Sequence, residues 1–73
     1  MSRLPNLTAR QLVSALRRAG FVEDTQRGSH LTLRNALGKR VVVPIHGGDL
    51  KRPLLKAIIK DAGLTEEALR ELL

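Results

Sequence analysis

The chain has 73 residues and a mass of 8.1 kDa, room for a single small domain over residues 1–73 and not for an enzyme built around a deep pocket. Thirteen lysines and arginines against seven aspartates and glutamates leave a net charge of +6 and a pI near 11.2, which favours an anionic partner, nucleic acid ahead of a membrane surface or an acidic protein. Cysteine is absent, so disulfide frameworks and thiolate metal clusters are excluded and a reducing compartment, the cytoplasm, is expected.

Residues 1–10 hold no apolar run that could serve as a signal-peptide core, and nowhere do about 18 apolar residues stand together, so neither export nor membrane spanning is expected. The sequon Asn6-Leu7-Thr8 is then inert. Thr8 followed by Gln11 has the form of a capping box, and Leu7 with Leu12 makes a hydrophobic staple, so a helix is predicted from Ala9. Leu12, Val13, Leu16 and Ala19 mark its inner side, Arg10, Arg17 and Arg18 fall elsewhere, and Gly20 stops it.

Segments 21–25, 30–34 and 40–45 are rich in β-branched and apolar residues and are separated by Gly28 and by a turn around residues 35–39, which predicts three strands in an antiparallel meander. In the middle strand Leu31 and Leu33 alternate with His30, Thr32 and Arg34, so the histidine face looks away from the core. Val41, Val42 and Val43 make the third strand apolar on both faces, as if a partner or a second copy covered the outer one. Pro53 suits the first position of a helix whose stripe is Leu54, Leu55, Ile58, Ile59 and Ala62, ending at Gly63. Leu64 and Thr65 repeat the staple and cap before a short last helix with Glu66 and Glu67 at its start. The fold class expected is α+β: a two-layer sandwich in the order α-β-β-β-α plus a short C-terminal helix, helices on one face of a three-stranded antiparallel sheet and the other face free.

Charge is divided along the chain. Residues 25–60 hold eight basic residues and one acidic, whereas residues 61–73 hold one basic and four acidic. The basic surface thus belongs to the sheet and its flanking helices, and the acidic tail is not expected to face nucleic acid.

Arg27-Gly28-Ser29-His30 joins a cation, a flexible backbone point, a hydroxyl and an imidazole where a turn enters the middle strand. Histidine, with an unperturbed pKa of about 6.5, takes and gives protons near neutrality. One reading makes this a metal-free phosphodiester-cleaving set: His30 deprotonates a ribose 2′-hydroxyl that attacks its own phosphate, while Arg27 and other cations stabilise the developing charge. Such chemistry requires RNA. The other reading is a turn relieved by glycine, followed by an exposed histidine with no chemical task.

His46, in Val43-Pro44-Ile45-His46-Gly47-Gly48, is compatible with a complementary acid, a phosphate contact or a loop closure. No Gly-x-Ser-x-Gly elbow accompanies it, so a serine hydrolase is rejected. Two histidines sixteen positions apart without cysteine do not form a metal site, and no metal or other cofactor is expected. Phosphate-loop and dinucleotide fingerprints are absent. Arg27, Arg34, Lys39, Arg40, His46, Lys51 and Arg52 are the candidate RNA contacts, with Lys56 and Lys60 as further cations; each is equally at home on a solvated surface. The single aromatic, Phe21, is placed in the core, so base stacking on aromatics is not available.

Taken together, Ala19-Gly20-Phe21, Arg27-Gly28-Ser29-His30, Val43-Pro44-Ile45-His46 and the 54–64 helix ending Asp61-Ala62-Gly63-Leu64 resemble HicA-type toxins of toxin–antitoxin pairs, over nearly the whole chain and in the right order. The resemblance implies a double-stranded-RNA-binding-domain-like fold and a metal-independent ribonuclease that cuts messenger RNA, arresting translation until a HicB-type antitoxin covers it. It also implies that His30 is catalytic, with Gly28 and Ser29 shaping its turn. A non-catalytic RNA-binding module of the same fold, and an interaction domain pairing through its third strand, are the other functional classes compatible with these residues.

Overall fold

The computed structural model describes residues 4–73; the first three residues of the 1–10 stretch lie outside them. Six elements follow one another: α1 (Ala9–Arg18), β1 (Val22–Arg27), β2 (His30–Arg34), β3 (Arg40–Pro44), α2 (Arg52–Asp61) and α3 (Glu66–Glu71). The strands form one antiparallel sheet in the order β1-β2-β3. This is the α+β, double-stranded-RNA-binding-domain-like layout expected from the sequence.

The start of α1 is a complete capping box. Gln11 N donates to Thr8 Oγ1 at 3.2 Å, and Thr8 N donates to Gln11 Oε1 at 2.9 Å, satisfying two of the helix's orphan donors. Its end is a Schellman motif: Gly20, at φ +99°, donates to Arg17 O, and Phe21 N donates to Leu16 O, a geometry that requires the left-handed backbone glycine adopts freely. The same pair of bonds closes α2, from Gly63 N to Lys60 O and Leu64 N to Ile59 O. Thr65 caps α3 by accepting from Ala68 N at 3.0 Å, and Glu66 and Glu67 occupy its first turn, where the helix dipole favours negative charge.

One hydrophobic cluster joins the layers. Leu12 and Leu16 of α1, Leu31, Leu33, Val41 and Val43 of the sheet, Leu55, Ile58 and Ile59 of α2 and Leu69 of α3 all lie buried in it together with Phe21. Enclosing each large aliphatic side chain contributes about 1.5–3 kcal/mol, the main resource of a chain without disulfides. A segment that periodicity does not mark is stitched to this core. Leu50 N donates to Leu7 O at 2.7 Å, Thr8 bridges to Asp49, and Leu4, Leu7 and Leu50 are buried.

Three boundaries differ from expectation. The first strand runs over Val22–Arg27, not 21–25: Phe21 is engaged in the α1 stop, and pairing with β2 continues to the turn. The third strand ends at Pro44, opposite His30 where its partner β2 begins, so Ile45 lies against the turn and not against a strand. Arg52, not Pro53, opens α2, and Leu54 is 38% exposed, so the buried stripe is Leu55, Ile58, Ile59 and Ala62. Among the described residues no helix is long and apolar enough to cross a membrane.

Candidate active site

Residues opposite one another in an antiparallel pair share a face, so the register fixes what lies on the side turned away from the helices. Three rows cross it: Arg27, His30 and Pro44; Thr25, Thr32 and Val42; Val22, Arg34 and Arg40. The opposite side carries Leu31, Leu33, Val41 and Val43 into the core. The open face therefore presents one imidazole, three guanidinium groups and the Thr25 hydroxyl, with Thr32 buried at its centre and Val22 and Val42 exposed at its edges.

His30 is exposed as the first residue of β2, and its position follows from the hairpin before it. Only Gly28 and Ser29 join β1 to β2, with Gly28 at φ +57° and no positive φ at Ser29, the pattern of a type II′ turn, whose twist matches that of the strands. A Cβ at Gly28 would meet nothing within 4 Å, so glycine serves here for its dihedral and not for space. The turn is tied from both sides: Gln26 Nε2 donates to Gly28 O at 3.2 Å, and Ile45 N donates to Ser29 O. Arg27 is thereby brought directly across from His30.

A register shift between Glu23 and Thr25 marks a β-bulge at Asp24. One extra residue reverses the facing of everything before it. Val22 consequently points outward, and Glu23 meets Arg17 of α1 at 3.3 Å. Asp24 Oδ2 reaches Arg34 Nε at 2.7 Å. These are the two ion pairs among the described residues, so Arg27 and Arg40 stand on the open face without a carboxylate partner.

The remaining candidate contacts lie elsewhere. Lys39, in the β2–β3 turn, reaches toward Gly63 at the end of α2, its Cε 3.3 Å from where a Cβ there would sit. Arg52 is half-buried, and its Nη2 donates to Leu4 O at 2.6 Å and to Asn6 Oδ1 at 3.4 Å, which anchors the N-terminal segment. Lys51 is exposed as the N-cap of α2 and makes no side-chain cap bond. His46 lies beyond β3 and donates through Nδ1 to Gly47 O at 2.8 Å. It lines a groove with Thr8, Arg10, Ile45, Gly47 and Gly48, and His30 is not part of that groove. The structure thus groups His30 with Arg27, Arg34 and Arg40 and sets His46, Lys39, Lys51 and Arg52 apart from them. Among the described residues no three His, Cys, Asp or Glu side chains gather as a metal site.

Asp24 is the member of this face that residue spacing did not single out. Its signal is indirect: strict alternation backward from Arg27 would place Val22 in the core and Glu23 outside, and the register shows an inserted residue that turns both over. A family model described as HicA toxin of bacterial toxin–antitoxin matches residues 9–64, a span that takes in α1, the sheet, α2 and every candidate residue. No curated protein matches the chain.

Proposed function

The chain belongs to the HicA family of toxins from bacterial toxin–antitoxin pairs, and from that premise we propose that it is a metal-independent endoribonuclease that cuts messenger RNA through His30. The observation that carries the reading is the exposed His30 on the open sheet face, fixed by a tied two-residue turn and flanked by Arg27. His30 takes the proton of a ribose 2′-hydroxyl, and the freed oxygen attacks the adjacent phosphorus. The bond to the 5′-oxygen breaks and the departing oxygen collects a proton, leaving a 2′,3′-cyclic phosphate and a 5′-hydroxyl end. Arg27 faces the charge that gathers on the phosphoryl oxygens, and Gly28 and Ser29 hold the turn.

A HicB-type antitoxin is the partner that would silence this chemistry by covering the same face, where Val22 and Val42 supply apolar area between the arginines. The setting is the cytoplasm, where messenger RNA is translated.

The test is incubation of the purified chain with a long single-stranded RNA in EDTA, beside His30→Ala and a DNA of matched sequence. Cleavage of RNA alone, abolished by the substitution, is the expected result. Intact RNA with salt-sensitive binding, unchanged in His30→Ala, would instead identify a non-catalytic RNA-binding module.

A further inference from the structure

Three arginines share the open face with His30, and one of them differs from the others. Arg27 and Arg40 have no carboxylate partner, whereas Arg34 is held through Nε by Asp24 Oδ2 at 2.7 Å. The bulge that delivers Asp24 interrupts the β1–β2 ladder at that point, so the carboxylate is introduced onto a basic face at a local cost in pairing. A phosphate clamp gains nothing from this arrangement, because a carboxylate beside the guanidinium repels the phosphate and offsets the arginine's charge. A directional contact does gain. With Nε engaged by Asp24, the guanidinium is oriented and its Nη1 and Nη2 groups are left as a two-donor fork.

We propose that the Asp24-held Arg34 reads a guanine base near the cleaved bond, an inference that rests on the nuclease reading of His30. Guanine is the base whose N7 and O6 place two acceptors side by side on one edge, whereas adenine has an acceptor and a donor there. That edge is accessible in unpaired RNA, the form in which RNA sequence is usually read. His30 and Arg34 lie at the two ends of β2 on the same face, about 13 Å apart along the strand. The base read is therefore not the one at the scissile phosphate but one about two nucleotides away, while Arg27 and Arg40 hold the backbone.

The experiment maps cleavage positions in an RNA pool of random sequence for the unaltered chain, Arg34→Lys and Asp24→Asn. Base frequencies are compared among the sites that each variant cuts, so the readout does not depend on overall rate. The unaltered chain is expected to enrich guanine at one fixed offset from the cut by on the order of tenfold or more over adenine. Arg34→Lys, which keeps the charge and loses the fork, removes that enrichment, and Asp24→Asn weakens it. A chain that cuts with no guanine enrichment at any fixed offset, or an enrichment that survives Arg34→Lys, overturns the proposal. A uniform fall at all sites in Arg34→Lys without altered preference identifies Arg34 as a backbone contact and also overturns it.

If no RNA is cut, the nuclease reading fails and the base contact is judged by binding. His30→Ala is then titrated with short single strands carrying guanine or 7-deazaguanine, which lacks the N7 acceptor. Loss of affinity with the deaza base in His30→Ala, absent when Arg34→Lys is added, supports the contact, and equal affinity for the two strands refutes it.

Discussion

Gly28 acts on the site through a single backbone angle. Its φ is +57°, and nothing lies within 4 Å of the point where a Cβ would stand, so substitutions there report on the dihedral of the turn and not on packing. Gly28→Val is expected to cost about 1–2 kcal/mol, which for a chain of this size lowers Tm by roughly 4–8 °C per kcal/mol; Gly28→Asn, which tolerates positive φ, costs less. Cleavage should fall in the same order, because the turn sets Arg27 opposite His30; thermal unfolding and RNA cleavage measured on both variants check the ranking. Residue by residue, the site was legible where a local rule applied. Alternation within 30–34 places His30 at the start of a strand on the face opposite Leu31, whereas the tight Gly28-Ser29 turn appears only once β1 is seen to run on to Arg27. Charge alone could not sort the cations, because the bonds that commit Arg52 to Leu4 and draw Lys39 toward Gly63 join residues distant in sequence. Asp24 escaped for the same reason, since its role appears only when the strands are paired in register.

Helix ends were the most legible elements. The capping box at Thr8, the stop at Gly20 and the cap at Thr65 depend on residues within a turn of one another, so their signals lie wholly in the local sequence. Strand ends were less so: β1 begins after Phe21 and runs on to Arg27 because its partner β2 decides how far pairing extends. The α2 stripe shows the limit of periodicity. Leu54 and Leu55 are adjacent and chemically identical, yet Leu54 is 38% exposed and Leu55 only 1%, a difference set by which angular edge of the helix meets the sheet. Leu55→Ala should therefore destabilise by about 2–5 kcal/mol, while Leu54→Ala stays within about 0.5 kcal/mol of the parent. Denaturant unfolding of the two variants separates them, and equal losses would mean that the stripe is wider than the burial pattern indicates.

At the scale of the molecule, the layout leaves some basic residues, Arg27 and Arg40, on the open face and commits others, such as Arg52, to internal contacts. RNA affinity of the whole chain should fall steeply with salt, with a slope of about 0.7 per phosphate neutralised on a single strand. Arg27→Ala is expected to reduce that slope by about one such contact with little loss of stability. Arg52→Ala should instead lower stability by about 1.5–3 kcal/mol, the range for a hydrogen bond to a charged group, and leave the slope nearly unchanged. Salt titrations and melting curves on both variants give the comparison, and an inverted pattern would remove the open face as the RNA surface. The two-layer order itself was readable because a helical period gives way to strand-like runs at Gly20 and returns after Pro53; which face stays open follows from both helices burying their stripes on the other one. That face has an optical counterpart. The chain contains no tryptophan or tyrosine, and Val22 stands 63% exposed on the rim of the open sheet, so Val22→Trp would install the sole indole fluorophore beside Arg34. Its emission would then signal whatever settles on that surface, nucleic acid or antitoxin, against a spectroscopically dark background.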